Sequence, residues 1–129
     1  REEITGIPGS NLPVEWLNFN LIKGTVIMAT EVKKYHILVY GSPTGYQTNR
    51  AQIALYSSDG KTIAYVRFND PGMNFENDSE SGGRIKMHLP STMFQSVLDV
   101  LRNEQPVYIY FAQGRGFLST STEPVGEGE

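Results

Sequence analysis

The chain contains no cysteine. That removes disulfide frameworks, thiolate zinc sites and cysteine nucleophiles together, and it leans the expected location toward a reducing, cytoplasmic compartment. There is also no apolar run near the roughly 18 residues of a membrane span and no basic-then-apolar signal layout at the start, so a membrane partner is not expected. The first residue is Arg1 rather than methionine, which leaves room for an upstream targeting segment. Histidine is scarce, with two in 129 residues, and tryptophan scarcer, with one. Without clustered ligand residues or a phosphate loop, neither a metal nor an organic cofactor is expected.

Net positive charge is lacking too, since the formal balance is −3. Its distribution matters more than its sum. Nine of the fourteen acids fall at the chain ends (Glu2, Glu3, Glu123, Glu127, Glu129) or in one loop (Asp70, Glu76, Asp78, Glu80). The remaining five, Glu15, Glu31, Asp59, Asp99 and Glu104, face ten of the eleven basic residues, so the predicted ordered body is net basic.

The length suits one domain with a hydrophobic core of its own. Residues 1–23 carry Gly6, Pro8, Gly9 and Pro13 with isolated apolar residues, and read as an irregular arm pinned to the body by Trp16, Leu17, Phe19 and Leu21. Residues 24–122 form the body, and 123–129 an acidic flexible tail. Thr25–Ala29 and Tyr35–Tyr40 are rich in β-branched and aromatic residues and read as β. Glu31–Lys34 is either a turn between them or part of a strand. Gly41–Gly45 is a turn cluster.

Arg50–Phe68 is a hairpin joined at Ser58-Asp59-Gly60-Lys61. A two-residue Asp-Gly turn pairs Leu55 with Ala64, Ile53 with Val66, Ala51 with Phe68 and, on the other face, Tyr56 with Ile63. A three-residue turn with a bulge mixes the faces, so the first register is preferred. Asn69–Gly83 reads as a long, acidic, mobile loop.

Arg84–Leu89 alternates strictly, and Met93–Leu101 then shifts to three- and four-residue spacing. Pro90 marks the change, and Thr92 with Gln95 suggests a capping box. The helix, at about 91–103, presents Phe94, Val97, Leu98 and Leu101 to the sheet. Val107–Phe111 returns to period two, Gln113–Gly116 is a hairpin turn, and Phe117–Thr122 is a polar final strand at an edge. The expected fold is α+β: a curved or partly closed antiparallel sheet of about six or seven strands, with a single helix inserted before the last two.

Familiar catalytic and ligand motifs fail on context. Gly60-Lys61-Thr62 lacks the earlier glycine and the following helix of a phosphate loop, and Ser58 with Lys61 sits on a hairpin tip rather than a helix start. Gly114-x-Gly116 lacks the rest of a dinucleotide fingerprint. Asp78-x-Glu80-x-Gly82 lacks the spacing of a calcium loop, and Asn77-Asp78-Ser79 is a glycosylation sequon that matters only on export.

The feature that carries chemistry is the sheet side the core does not use. Period two assigns to it Lys34, His36 and Tyr40, then Arg50, Gln52 and Tyr56, Tyr65 and Arg67, Arg84, Lys86 and His88, and finally Tyr108 and Tyr110. Tyrosine interleaved with cations is the combination that holds single-stranded nucleic acid, rings stacking on bases and cations neutralising phosphates. The leading expectation is therefore a non-enzymatic binding module for single-stranded nucleic acid, with Lys34, His36, Arg50, Tyr56, Tyr65, Arg67, Arg84, Lys86, His88, Tyr108 and Tyr110 as its contacts. Any half-exposed sheet also favours Tyr with Arg and Lys, and the same face suits a second subunit, which makes a structural, homo-oligomerising domain the alternative. A third reading is a ligand-binding or catalytic pocket at His36 and His88.

Overall fold

The computed structural model describes residues 29–122 and 124–126. The expected arm over 1–23 with Trp16, residues 25–28 of the first β region and part of the 123–129 tail lie outside them. In chain order the described residues form β1 (Ala29–Val32), β2 (Lys34–Val39), β3 (Ala51–Tyr56), β4 (Thr62–Asn69), β5 (Ser79–Ser81) and β6 (Arg84–Pro90). A 3-10 turn (Ser91–Met93) then runs into α1 (Phe94–Asn103), followed by β7 (Val107–Ala112) and β8 (Arg115–Thr120). The architecture is α+β, and among the described residues the one helical segment lies at 91–103, ahead of the last two strands.

The strands divide into two open sheets, one of five in the order β2-β3-β4-β6-β5 and one of three in the order β1-β7-β8. A single curved or partly closed sheet was the expectation, and the chain departs from it at Lys33. β1 ends its pairing at Val32 opposite Val107, and β2 begins at Lys34 opposite Tyr56. Between them the Lys33 N–H donates to the Tyr56 carbonyl at 2.8 Å. One residue thus carries the chain from one sheet to the other, a corner rather than a loop.

The β3–β4 hairpin takes the three-residue turn rather than the expected two-residue one, and Tyr56 pairs Thr62 rather than Ile63. The Ser57 N–H donates to the Lys61 carbonyl at 3.0 Å and the Gly60 N–H to the Ser57 carbonyl at 3.0 Å, which leaves three residues in the loop. That turn alone would put Leu55 opposite Ile63. A bulge between Leu55 and Tyr56 absorbs the extra residue, and from there Leu55 pairs Ala64, Ile53 pairs Val66 and Ala51 pairs Phe68 as predicted. Burying one whole face outweighs the local turn, because a one-residue slip would send every apolar side chain to the wrong side.

Among the described residues, all strand pairs but one are antiparallel. β4 and β6 run parallel, from Ala64 opposite Ile85 to Asn69 opposite Pro90. Parallel neighbours need a long connection to bring the chain back to the same end, and the 70–83 segment read from sequence as a loop is that crossover. It is not featureless. It contains β5, which pairs antiparallel with β6 from Ser79 opposite Lys86 to Ser81 opposite Arg84.

The core lies on one side of the five-stranded sheet. Ile53, Leu55, Ala64, Val66 and Phe68 are fully buried there and meet Val97 and Leu98 of α1 and Ile109 of β7. Each large aliphatic side chain so enclosed contributes about 1.5–3 kcal/mol. Phe94 sets its ring edge-on to Phe68 at 5.0 Å, so the apolar stripe of α1 packs as its spacing predicts. The expected capping box is absent: the chain enters α1 through the 3-10 turn, and Met93 makes no side-chain cap bond. No helix among the described residues is long and apolar enough to cross a membrane.

Asp78 ties the sheets together. Its carboxylate accepts from the His88 N–H at 2.8 Å and from the Gly116 N–H at 2.9 Å, one on β6 and one on β8. The strands approach so closely there that a Cβ on Gly116 would meet Ile85 and Met87 at 3.2 Å. Glycine is what allows the contact.

Candidate binding face on the five-stranded sheet

Strand order decides which outward residues share a surface. Because β2, β3, β4 and β6 are neighbours, their registers build rows across the open side. One row reads His36, Ala54, Tyr65, Lys86 and Ser79; the next reads Leu38, Gln52, Arg67 and His88. Lys34 lies opposite Tyr56, and Arg84 opposite Ser81. Lys34, His36, Arg84 and Lys86 are exposed, while Tyr56, Tyr65 and Arg67 are half-buried. Arg67 donates from Nε to Gln52 Oε1 at 3.0 Å and sets its guanidinium 5.5 Å from the centre of the Tyr65 ring. The outward strand positions carry no acid, since Glu80 pairs with core-facing Ile85 and so points to the other side. Chemically the face offers two aromatic rings among four fixed cations.

Four of the residues expected on this surface are placed otherwise. Tyr108 and Tyr110 do point away from the core, but from β7, the middle strand of the smaller sheet. They are 3 % and 1 % exposed, and Tyr110 stacks on Phe117 with ring centres 4.8 Å apart. Burial pushes the Tyr110 hydroxyl up to about 12. Burial also raises Tyr108, aided by the charge of Glu31 and opposed by a hydrogen bond with Ser121. Rings so nearly buried cannot stack on a ligand.

Arg50 faces outward but is taken up locally. Its Nε donates to Asp70 Oδ2 at 2.7 Å, and its terminal nitrogens donate to the carbonyls of Tyr40, Ser42 and Pro43 at 2.5, 3.0 and 3.2 Å. The guanidinium, with a hydrogen bond from Ser91, holds the Asp70 carboxyl below its ordinary range. His88 also lies on the outward side, but its side chain is only 3 % exposed beneath the crossover. Its Nδ1 is 3.5 Å from Asp78 Oδ1 and its Nε2 3.9 Å from Glu76 Oε1.

The two histidines do not meet. β3 and β4 stand between β2 and β6, which separates their backbones by roughly 14 Å at the usual strand spacing. A groove of about 820 Å³ opens at the hairpin tip, lined by Ser57, Asp59, Lys61, Glu80 and Arg84 among others, and takes in neither histidine. The part of its rim at the hairpin tip serves the turn itself. Asp59 accepts from the Ser57 hydroxyl and from the Lys61 N–H, and these bonds, Ser57's first, lower its carboxyl from the ordinary value.

Sequence reasoning missed Tyr46, an exposed ring beside Tyr40 at the end of the face, with ring centres 5.3 Å apart. It belongs to a loop, where strand periodicity gives no sign of direction. Comparison with protein-family models, curated proteins and solved structures returns no match, so the functional reading rests on this geometry.

Proposed function

We propose that the protein is a non-enzymatic binding module that takes single-stranded nucleic acid on the open side of the five-stranded sheet. One observation carries the reading: Tyr56 and Tyr65 lie among Lys34, Arg67, Arg84 and Lys86 on one sheet side whose strand positions carry no acid, the nearby carboxylates of Asp70, Glu76 and Asp78 being set against Arg50 and His88. Rings of this kind stack on bases at about 1–3 kcal/mol each, and each neutralised phosphate lowers the salt slope of single-strand binding by about 0.7. Within this reading Arg50, His88, Tyr108 and Tyr110 serve the fold. A second copy of the chain is the competing occupant of the face. It is disfavoured because four cations would meet their own images.

Anisotropy titration of a labelled oligothymidine at low and moderate salt tests the proposal. Tyr65→Ala should weaken binding roughly ten-fold at unchanged salt slope. Arg84→Ala with Lys86→Ala should flatten the slope by about 1.4. Absence of binding at low salt, or binding indifferent to both sets of changes, overturns it. Sedimentation of the free protein at several concentrations separates the competing reading, which requires a dimer.

A further inference from the structure

The turn formers of the 41–49 loop, Gly41, Pro43 and Gly45, precede the place where the chain turns most tightly. Tyr46 and Asn49 exchange both backbone hydrogen bonds at 2.9 Å, which closes a two-residue hairpin around Gln47 and Thr48. Both central residues are left-handed, with φ of 50° and 61°. Such a turn favours Asn-Gly, and a β-branched threonine in that region is a backbone outlier.

The strain persists because the surroundings fix the loop from both flanks. Asn69, 1 % exposed, donates to the Thr48 carbonyl at 2.5 Å and to Asn49 Oδ1 at 3.2 Å, and Asn49 donates to the Gln47 carbonyl at 3.2 Å. On the other flank Arg50 gathers the carbonyls of residues 40–43. Only glycine fits at position 45, where a Cβ would lie 2.1 Å from the Asn49 carbonyl oxygen. A buried polar network thus holds an unfavourable turn, and the turn carries Tyr46, whose ring is left 57 % exposed. Strain maintained under an exposed aromatic ring is the arrangement of a pre-organised contact, whose ordering cost is met on folding rather than on binding.

We infer that Tyr46 is a rigid stacking platform for a base at the end of the sheet face, extending the single-strand path beyond Tyr56 and Tyr65. The inference rests on the function proposed above. Tyr40 connects the two parts: it follows Lys34, His36 and Leu38 on the outward side of β2 and sets its ring against Tyr46. From the Lys34 row to the Tyr40 row is roughly 20 Å of strand, enough for several nucleotides.

The experiment measures the affinity and salt slope of the same oligothymidine with wild type, Tyr46→Ala, Tyr46→Phe and the relaxed turn Gln47→Asn with Thr48→Gly. Tyr46→Ala should bind about ten-fold more weakly at the wild-type salt slope, and Tyr46→Phe should bind like wild type. The relaxed turn keeps Tyr46 in place, so it should raise Tm and leave affinity intact. If wild type binds and the Tyr65 and Lys86 variants weaken it, but Tyr46→Ala binds normally, this inference falls and the proposed function stands. Absence of wild-type binding at low salt removes both.

Discussion

Tyrosines alternate along β7 of the smaller sheet as they do across β3 and β4 of the larger, each time on the side away from the core. Tyr108 and Tyr110 are almost wholly buried, whereas Tyr56 and Tyr65 stay half open. Period two tells which residues share a side; it does not tell whether that side has a cover. The neighbours do. Beside Tyr108 and Tyr110 stand Ala29, Glu31, Phe117 and Ser119, a single charge among apolar and small groups. Beside Tyr56 and Tyr65 stand Lys34, Arg67 and Lys86, which are costly to bury. Charge at adjacent register positions separates an open aromatic face from a closed one.

The largest test of that difference is one substitution made in each sheet. Tyr110→Ala removes a fully enclosed ring and its stack on Phe117, and should cost about 3–5 kcal/mol in urea unfolding. Tyr65→Ala removes a half-open ring and should cost under about 1 kcal/mol. Similar losses at the two sites would mean that the sheet faces are not distinct environments.

A smaller effect is expected at the joint between the sheets. Asp78→Ala leaves the His88 and Gly116 amides without their acceptor in a partly buried setting and should cost about 2–3 kcal/mol. Hydrogen exchange sharpens the reading. Protection should fall at those two amides and along β8 while the β3–β4 ladder keeps its own, because β3 and β4 are paired on both edges. Loss spread evenly over both sheets would show that they open as one unit and that Asp78 is no local joint.

What was legible in the sequence follows from how local each signal is. The core register of the 51–68 hairpin could be read because its apolar residues align only one way, even though the turn took the three-residue form and a bulge restored the match. The Gln113–Gly114 turn and α1 were equally local. Strand order was not. It depends on the 70–83 crossover, whose polar, glycine-rich sequence has no period, and on the single-residue corner at Lys33, which nothing in Glu31–Lys34 announces. The candidate face inherits that limit. Period two picked out its residues, but the parallel β4–β6 pair is what brings Lys86 beside Tyr65. Arg50 looked available because its partners, the carbonyls of residues 40–43 and the Asp70 carboxylate, come from two separate loops whose paths the sequence leaves open.

The last predicted effect appears at alkaline pH and arises from the covered tyrosines. In the unfolded chain a tyrosine ionises near 10, whereas in the folded protein burial raises Tyr110 to about 12. The folded state therefore keeps its proton while the unfolded state loses one, and stability falls as pH rises. The contribution is whole below pH 10, declines between about 10 and 12, and is gone above that range. Tyr108 shifts in the same direction, chiefly through burial, and adds to the slope. Denaturant midpoints measured from pH 9 to 12, with tyrosinate absorbance followed in parallel, should show ionisation of the β7 rings only as the protein unfolds. Tyr110→Phe should flatten the decline, since phenylalanine has no proton to lose in either state. A decline unchanged by Tyr110→Phe would place the alkaline sensitivity elsewhere and remove the pH contrast between the closed sheet and the open one.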